Sequence, residues 1–259
     1  MKLCILGSGS SGNSIYIGSG GSGILIDAGL SRRELRSRLG TIGVELEGIG
    51  AVLLSHEHDD HVRGLAALQK ASGAAVHLNR GTASGLLDRG VPPAAFRYFK
   101  TGIDFAVGPF TVHPFPVPHD ALDPVGFVIA AGGIRVGIAT DLGHPSAPVV
   151  ERLRGCRALV IESNHDLDLL GCAARPPSVK ERIWGDRGHL SNSSAAELLA
   201  EVASEALQDI FLAHLSQECN RPELAHRTAL RAAARGGFGH ASIRLTWADR
   251  VSDVVEYTD

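Results

Sequence analysis

The sequence predicts a layered αββα sandwich, in which two β-sheets pack face to face and helices cover the outer faces. Strand-like runs come first and helical patterns follow in each half, whereas a doubly wound fold would alternate the two throughout. Hydrophobic residues make up 44% of the 259 residues, enough for a full core. No repeat or long linker interrupts the chain. We therefore expect one domain, residues 1–259.

The first half is predicted to combine short strands with two helices. Ser31 is placed to cap a helix that runs to Leu39, and apolar residues recur at helical spacing over residues 62–70. The predicted strands are residues 3–6, 14–17, 24–26, 51–54, 75–77 and 110–115.

The second half is predicted to begin near Gly126, with strands at 127–130, 134–139, 159–161, 210–213 and 242–247. Ser194 and Glu197 form a capping-box pattern that predicts a helix over residues 195–206. Asn220 and Pro222 mark the start of the next helix.

The segment between Asn164 and Asn192 lacks periodicity, so we interpret it as a loop or short insertion that covers another part of the molecule. On charge alone, a solvated surface loop and a phosphate-binding loop are equally compatible with its basic residues. These residues are Arg175, Lys180, Arg182 and Arg187.

Composition limits the classes of function. The formal net charge of −3 and the pI near 6.5 provide no overall attraction for nucleic acid, so a polyanion would have to bind through local patches. The four cysteines are far apart in the sequence, which argues against a disulfide framework or a structural zinc knot. Nothing at the N-terminus resembles a signal peptide and no apolar run approaches ~20 residues, so we expect a cytoplasmic protein without membrane contact.

The most informative segment is His56-Glu57-His58-Asp59-Asp60-His61, which directly follows the apolar run 51–54. Imidazole and carboxylate groups are ligands for divalent ions such as zinc and manganese. A solvated polar turn would have no reason to place three histidines after a buried strand. The segment therefore predicts a metal site, with Glu57 and Asp59 facing outward.

The spacing HxHxDH resembles that of metallo-β-lactamase-fold hydrolases, which usually hold two metal ions. The resemblance implies a four-layer αββα sandwich of that family. It also implies that His56 and His58 serve one ion, and that Asp60 and His61 serve the other.

Further ligands are expected from distant segments, and the sequence provides them in the expected order. His119, Asp141 and His214 each lie just past a short β-rich run, where a sheet delivers residues to one edge. A carboxylate at Asp141 can bridge two cations about 3.5 to 4 Å apart, with a hydroxide between them as the nucleophile. We expect two divalent metal ions, zinc first, with manganese and iron as alternatives.

Glu162 and His189 form a candidate proton-donating pair. Glu162 ends the run 158–161 and His189 directly precedes a predicted helix. A glutamate that accepts from one ring nitrogen would raise the pKa of the histidine and leave the other nitrogen to act as general acid. The pair also resembles a glutamate and a Gly-His-Ser motif that transfer-RNA 3′-processing endonucleases of this superfamily use in this way. We predict catalytic roles for Asp60, Glu162 and His189.

Several segments together resemble the YycJ/WalJ-like bacterial hydrolases over residues 1 to about 225. They are GSGSSGNS at 7–14, PHDA at 118–121, ESNHD at 162–166, GHLSN at 188–192 and AHLS at 213–216. The resemblance implies phosphodiester cleavage, with 5′-to-3′ exonuclease activity on DNA rather than RNA. A thioester or lactam hydrolase on the same scaffold is the alternative, because its metal ligands would be the same. A metal-binding scaffold without catalysis would require a missing ligand, and none is missing.

Other polar residues are candidates for contacts with the ligands or the substrate. Asp27 is expected to brace the metal loop, and His165 either reaches the site or is a hydrogen-bonded loop histidine. The glycine-rich segment 7–14 either cradles phosphate or forms a hairpin. The remaining candidates are Ser10, Asn13, Ser191 and Asn192.

Overall fold

The computed structural model describes residues 1–88 and 96–258, whose strands form two seven-stranded sheets. The first sheet contains, in spatial order, β14 (Val255–Glu256), β1 (Lys2–Gly7), β2 (Ser14–Ser19), β3 (Ser22–Ile26), β4 (Ile49–Leu53), β5 (Ala75–Leu78) and β6 (Phe96–Tyr98). The second contains β13 (Ser242–Leu245), β12 (Asp209–Ala213), β11 (Ala158–Glu162), β10 (Ile134–Ala139), β9 (Val125–Ala131), β8 (Phe110–Pro116) and β7 (Phe105–Val107).

Helices connect the strands, and most of them cover the outer faces of the two sheets. They are α1 (Arg32–Thr41), α2 (Asp59–Val62), α3 (Leu65–Ser72), α4 (Arg80–Asp88), α5 (Ala147–Leu153), α6 (Leu167–Cys172), α7 (Pro177–Trp184), α8 (Asn192–Val202) and α9 (Pro222–Gly236). Within the described ranges, none of them is long and apolar enough to cross a membrane.

Three hydrophobic clusters correspond to the three interfaces between the four layers. Side chains alternate along each strand, so Leu3 and Ile5 of β1 enter the cluster between the sheets while Cys4 and Leu6 pack under the helices. The same alternation occurs in β12, where Phe211 faces the inner cluster. The predicted αββα sandwich is confirmed.

Most predicted elements are present with adjusted boundaries. Ser31 caps α1 through a capping box with Glu34, as its position indicated. The helix predicted over residues 62–70 is divided between α2 and α3. The second sheet begins at β7, so the boundary near Gly126 was placed too late and the strand at 110–115 belongs to the second half.

Two predictions near the third strand of the second sheet were wrong. The Ser194 capping box is not formed, because the side chain of Ser191 accepts from the backbone N–H of Ser194 and α8 therefore begins at Asn192. The segment predicted as a loop between Asn164 and Asn192 contains α6 and α7. No side chain of α7 is fully buried. The helix therefore lacks the stripe of apolar residues at helical spacing from which a helix is predicted.

His77 on β5 provides a pH-dependent contribution to stability. Its ring stacks on Phe105 of the second sheet at 5.5 Å between centroids, and burial together with Arg97 lowers its pKa from 6.5 to about 4. The fold therefore favours the neutral ring, and stability is lost as pH falls from 6.5 toward 4. Over this pH range we expect His77→Phe to lose roughly 2 kcal/mol less unfolding free energy than the wild type, after a reduction for partial solvent screening. Chemical denaturation at pH 7 and pH 4.5 measures the free energy of unfolding of the wild type and of His77→Phe. An equal loss of unfolding free energy between the two pH values in both proteins would contradict the prediction.

Candidate metal centre and active site

Loops that follow the ends of strands in both sheets bring the seven predicted ligands to one edge of the sandwich. The ligand atoms form overlapping groups in which all atoms lie within 4.8 Å of one another. The groups are His56 with His58 and His119, Asp60 with His61 and His214, His56 with His61 and Asp141, and Asp141 with Glu162, His189 and His214. Asp141 lies beside both triads, and His56 also groups with His61. The division of the motif between two ions stays a prediction.

The backbone is strained where strands deliver these side chains. In the described parts of the chain, three non-glycine residues have φ in the left-handed region: Asp27 at 61°, Asp141 at 55° and His214 at 54°. Such residues cost of order 1–3 kcal/mol each and persist where the surrounding structure holds them. Each comes one or two residues after the end of β3, β10 or β12. The left-handed conformation changes the direction of the chain there and directs the side chain toward the centre.

Four histidines donate Nδ1–H to a fixed acceptor. The pairs are His56 with Ser55 Oγ at 2.9 Å, His61 with Asp27 Oδ2 at 2.7 Å, His119 with the Gly188 carbonyl at 3.0 Å, and His214 with Glu162 Oε1 at 2.9 Å. Carbonyl and carboxylate oxygens only accept, and the Ser55 hydroxyl already donates to Asp27, so each ring, when neutral, turns its Nε2 lone pair toward the centre.

The centre contains buried polar atoms that protein groups do not satisfy. Within the described residues, Nε2 of His56, His119 and His214 and Oδ2 of Asp141 have no hydrogen-bond partner. Leaving such atoms unpaired costs about 1–3 kcal/mol each, which a bound cation would relieve. This donor set of imidazole and carboxylate fits divalent metal ions.

Asp141 spans the two groups of ligands. Its Oδ2 lies 3.1 Å from His61 Nε2, and its Oδ1 lies 3.9 Å from His119 Nε2. Burial alone would raise the pKa of this carboxyl, but His214 and His61 hold it well below its usual range. Burial would likewise lower the pKa of His61, yet Asp141 and Asp27 raise it well above 6.5. Protons therefore compete with cations for these ligands, and metal affinity should weaken as pH falls.

Asp27 and Asn13 brace the metal motif. Both Asp27 oxygens accept from Ser55, through its backbone N–H and its hydroxyl at 2.8 Å each. Asn13 Nδ2 donates to Asp60 Oδ2 at 3.1 Å. Gly29 lies so close to this motif that a Cβ would be 1.6 Å from the Asp60 carbonyl oxygen, so only glycine fits. The bracing role of Ser55 was not predicted. The sequence could have indicated it, because Ser55 places a hydroxyl group between the apolar strand and the first histidine of the motif.

Glu162 links the proton-donating pair to the metal centre. Its Oε1 accepts from His189 Nδ1 at 2.7 Å as well as from His214, and its Oε2 accepts from the backbone N–H of Leu142 at 2.7 Å. Burial would raise the pKa of Glu162, but His189 and His214 lower it to about 2. Burial would lower the pKa of His189, whereas Glu162 raises it above 6.5. His189 is thus held by a carboxylate, as predicted, and its side chain is 23% exposed.

Comparisons with known proteins identify the family of the chain. A family model described as a Beta-lactamase superfamily domain matches residues 23–210. The exodeoxyribonuclease YycJ of Bacillus anthracis is 32% identical over 241 residues, which cover 92% of this chain and 91% of that protein. The chain belongs to the YycJ/WalJ family of the metallo-β-lactamase superfamily. It is accordingly a metal-dependent hydrolase.

Two other proteins illustrate the extent of the match. The exodeoxyribonuclease WalJ of Streptococcus pneumoniae is 32% identical over 242 residues, covering 92% of this chain and 90% of that protein. The metallo-β-lactamase fold protein YhfI of Bacillus subtilis superposes with a TM-score of 0.75 at 16% identity, over 96% of this chain and 98% of that one. The second likeness shows the fold alone.

Not every predicted residue lies as expected in this YycJ/WalJ-family hydrolase. Glu57 does not face outward; it is buried and accepts from the backbone N–H of Leu122 at 3.0 Å, whereas Asp59 is exposed as predicted. Ser191 caps α8, and Asn192 Oδ1 accepts from the Ser163 hydroxyl at 2.7 Å, so both side chains bond within the scaffold.

His165 is buried beside the active-site loop. It is 1% exposed, and neither ring nitrogen has a hydrogen-bond partner within residues 1–88 and 96–258. Burial lowers its pKa to about 4, against the opposing effect of Glu162, so the ring is neutral at physiological pH. Of the two alternatives for His165, the hydrogen-bonded loop histidine is therefore not observed among the described residues.

A polar cavity of about 200 Å³ adjoins His189. Two of the four basic residues noted in the sequence line it: Arg175, whose Nε donates to Glu218 at 2.8 Å, and Arg182, whose Nε donates to Asp120 at 2.7 Å. Ser10 lines it as well, so the glycine-rich segment is both a strand connection and a wall of the cavity. Arg187 instead binds the backbone carbonyl of His119 at 2.9 Å, and Lys180 binds a backbone carbonyl within the segment.

Proposed function

We propose that this hydrolase cleaves phosphodiester bonds in nucleic acid with two divalent cations, and that it acts on DNA as a 5′-to-3′ exonuclease in the cytoplasm. One observation carries the proposal: the Glu162 and His189 pair adjoins the ligand groups and opens into a cavity that two arginines line. The names of the relatives YycJ and WalJ support DNA over RNA. We also propose that the chain functions as a single domain.

In this proposal each half of the motif holds one cation. His56, His58 and His119 would hold the first, and Asp60, His61 and His214 would hold the second, with Asp141 shared. When bound, the cations supply Lewis-acid activation of water and of phosphoryl oxygens, with zinc as the first expectation and manganese or iron as alternatives.

The chain's own residues would position the substrate and move the proton. Glu162 fixes Nδ1–H of His189, so the protonated ring can donate from Nε2 to the departing alkoxide oxygen. Arg175, Arg182 and Ser10 would orient the phosphate backbone in the cavity. An alkoxide is a poor leaving group and gains most from this protonation, whereas a thiolate leaves without it. The acid therefore favours phosphodiesters over thioesters.

End-labelled DNA and RNA oligonucleotides with zinc or manganese varied test the proposal. We expect the wild type to shorten DNA faster than RNA, and His61→Ala to lower turnover by at least about 100-fold, because His61 faces both Asp60 and Asp141. His113→Ala is the matched control, since His113 pairs with Asp104 away from the ligands. Full activity in His61→Ala would contradict the metal assignment. Robust thioester hydrolysis without DNA cleavage would favour the alternative.

A further inference from the structure

We propose that Asp120 provides a carboxylate ligand to the cation held by His56, His58 and His119. This residue lies next to His119 in the sequence but belongs to neither half of the HxHxDH motif. The inference rests on the metal centre of the proposed function and is independent of which substrate is cleaved.

The position of one Asp120 oxygen carries the inference. Oδ1 is buried and, within the residues that the structure describes, has no hydrogen-bond partner. It lies 3.2 Å from His119 Nε2 and 3.9 Å from His58 Nε2. A buried carboxylate oxygen without a partner is costly, and this one lies beside ligand nitrogens of two of the three histidines.

The hydrogen bonds of His119 determine what can occupy the space between these atoms. Nδ1 donates to the Gly188 carbonyl, so the neutral ring presents a lone pair at Nε2. Asp120 Oδ1 also presents lone pairs, and the two atoms do not form a hydrogen bond with each other. Two lone pairs at 3.2 Å repel unless a cation lies beside both. A metal ion ligated by Nε2 and Oδ1 removes this conflict.

Arg182 fixes the orientation of the carboxylate. Its Nε donates to Asp120 Oδ2 at 2.7 Å, which satisfies that oxygen and turns Oδ1 inward. With Asp120 included, each cation has a carboxylate of its own, Asp60 or Asp120, and the two share Asp141. Carboxylate ligands suit manganese better than soft donors do, so removal of Asp120 should weaken manganese binding in particular.

The test measures metal binding without nucleic acid. The wild type and Asp120→Asn are stripped with a chelator, refilled with Mn²⁺, and titrated by electron paramagnetic resonance of the free ion, with bound manganese per chain from elemental analysis. We expect Asp120→Asn to weaken one of the two sites at least about 10-fold. Glu218→Gln is the matched control, because Glu218, like Asp120, is an acidic residue held by an arginine that lines the cavity, in this case Arg175. It should bind manganese like the wild type.

A second variant separates ligation from an indirect effect through Arg182. If Asp120 only anchored Arg182, Arg182→Gln would reproduce the full loss, whereas ligation by Oδ1 predicts a clearly smaller loss of manganese affinity in Arg182→Gln than in Asp120→Asn, because Arg182 only orients the carboxylate. An equal loss in both variants, or wild-type affinity in Asp120→Asn, would overturn the inference. Should circular dichroism show Asp120→Asn to be unfolded, Asp120→Ser replaces it with the same expectation. An inactive wild type that binds two manganese ions would refute the nuclease proposal and leave this one standing.

Discussion

Asp141→Asn is expected to lower turnover by at least about 100-fold and to cost the protein at least one bound cation. Loss of a group that only supports a ligand typically costs 10- to 100-fold in metal affinity or activity, and Asp141 faces both ligand groups. The substitution keeps the shape of the side chain but removes the charge that offsets His61 and His214. Both proposed cation positions should therefore weaken together.

Metal content after gentle purification and turnover of a labelled DNA substrate measure this effect. Asp104→Asn is the matched control, because Asp104 pairs with His113 at 2.8 Å outside the centre and should change neither quantity. Loss of a single cation with normal binding of the other would show that Asp141 belongs to one position only. Wild-type activity in Asp141→Asn would refute its assignment as the shared ligand.

The convergence of the ligand set was predictable because its residues follow strands. Residues just beyond neighbouring strands meet at one edge of a sheet, so short apolar runs before His119, Asp141 and His214 indicated convergence without knowledge of the register. The same reasoning placed Glu162 at the end of β11.

Features that depend on register were not predictable. Glu162 pairs with Ala213 in the parallel β11 and β12 ladder, and this pairing brings its carboxylate to His214 as well as to His189. No local pattern encodes that register. The outward position predicted for Glu57 failed for a related reason, because the loop that carries Leu122 supplies a backbone donor that covers the carboxylate.

His189→Gln is expected to lower cleavage of DNA by about 100- to 10,000-fold, while cleavage of bis(p-nitrophenyl) phosphate falls less than about 10-fold. Nitrophenolate leaves without protonation, so a general acid matters little to it, whereas the alkoxide of DNA depends on it. The contrast between the two substrates separates loss of the acid from damage to the metal centre, which would slow both. Metal content should stay at the wild-type level, because His189 is not among the proposed ligands.

Glu162→Gln should differ from His189→Gln in a defined way. Its carboxylate also orients His214, so this variant should lose bound metal and slow cleavage of both substrates.

The wild type requires the protonated ring of His189, so its DNA cleavage should decline as pH rises through the pKa of His189, which lies above 6.5. Cleavage of the nitrophenyl ester should lack that decline. Equal slowing of both substrates in His189→Gln, with metal content intact, would assign His189 to substrate positioning instead of proton donation.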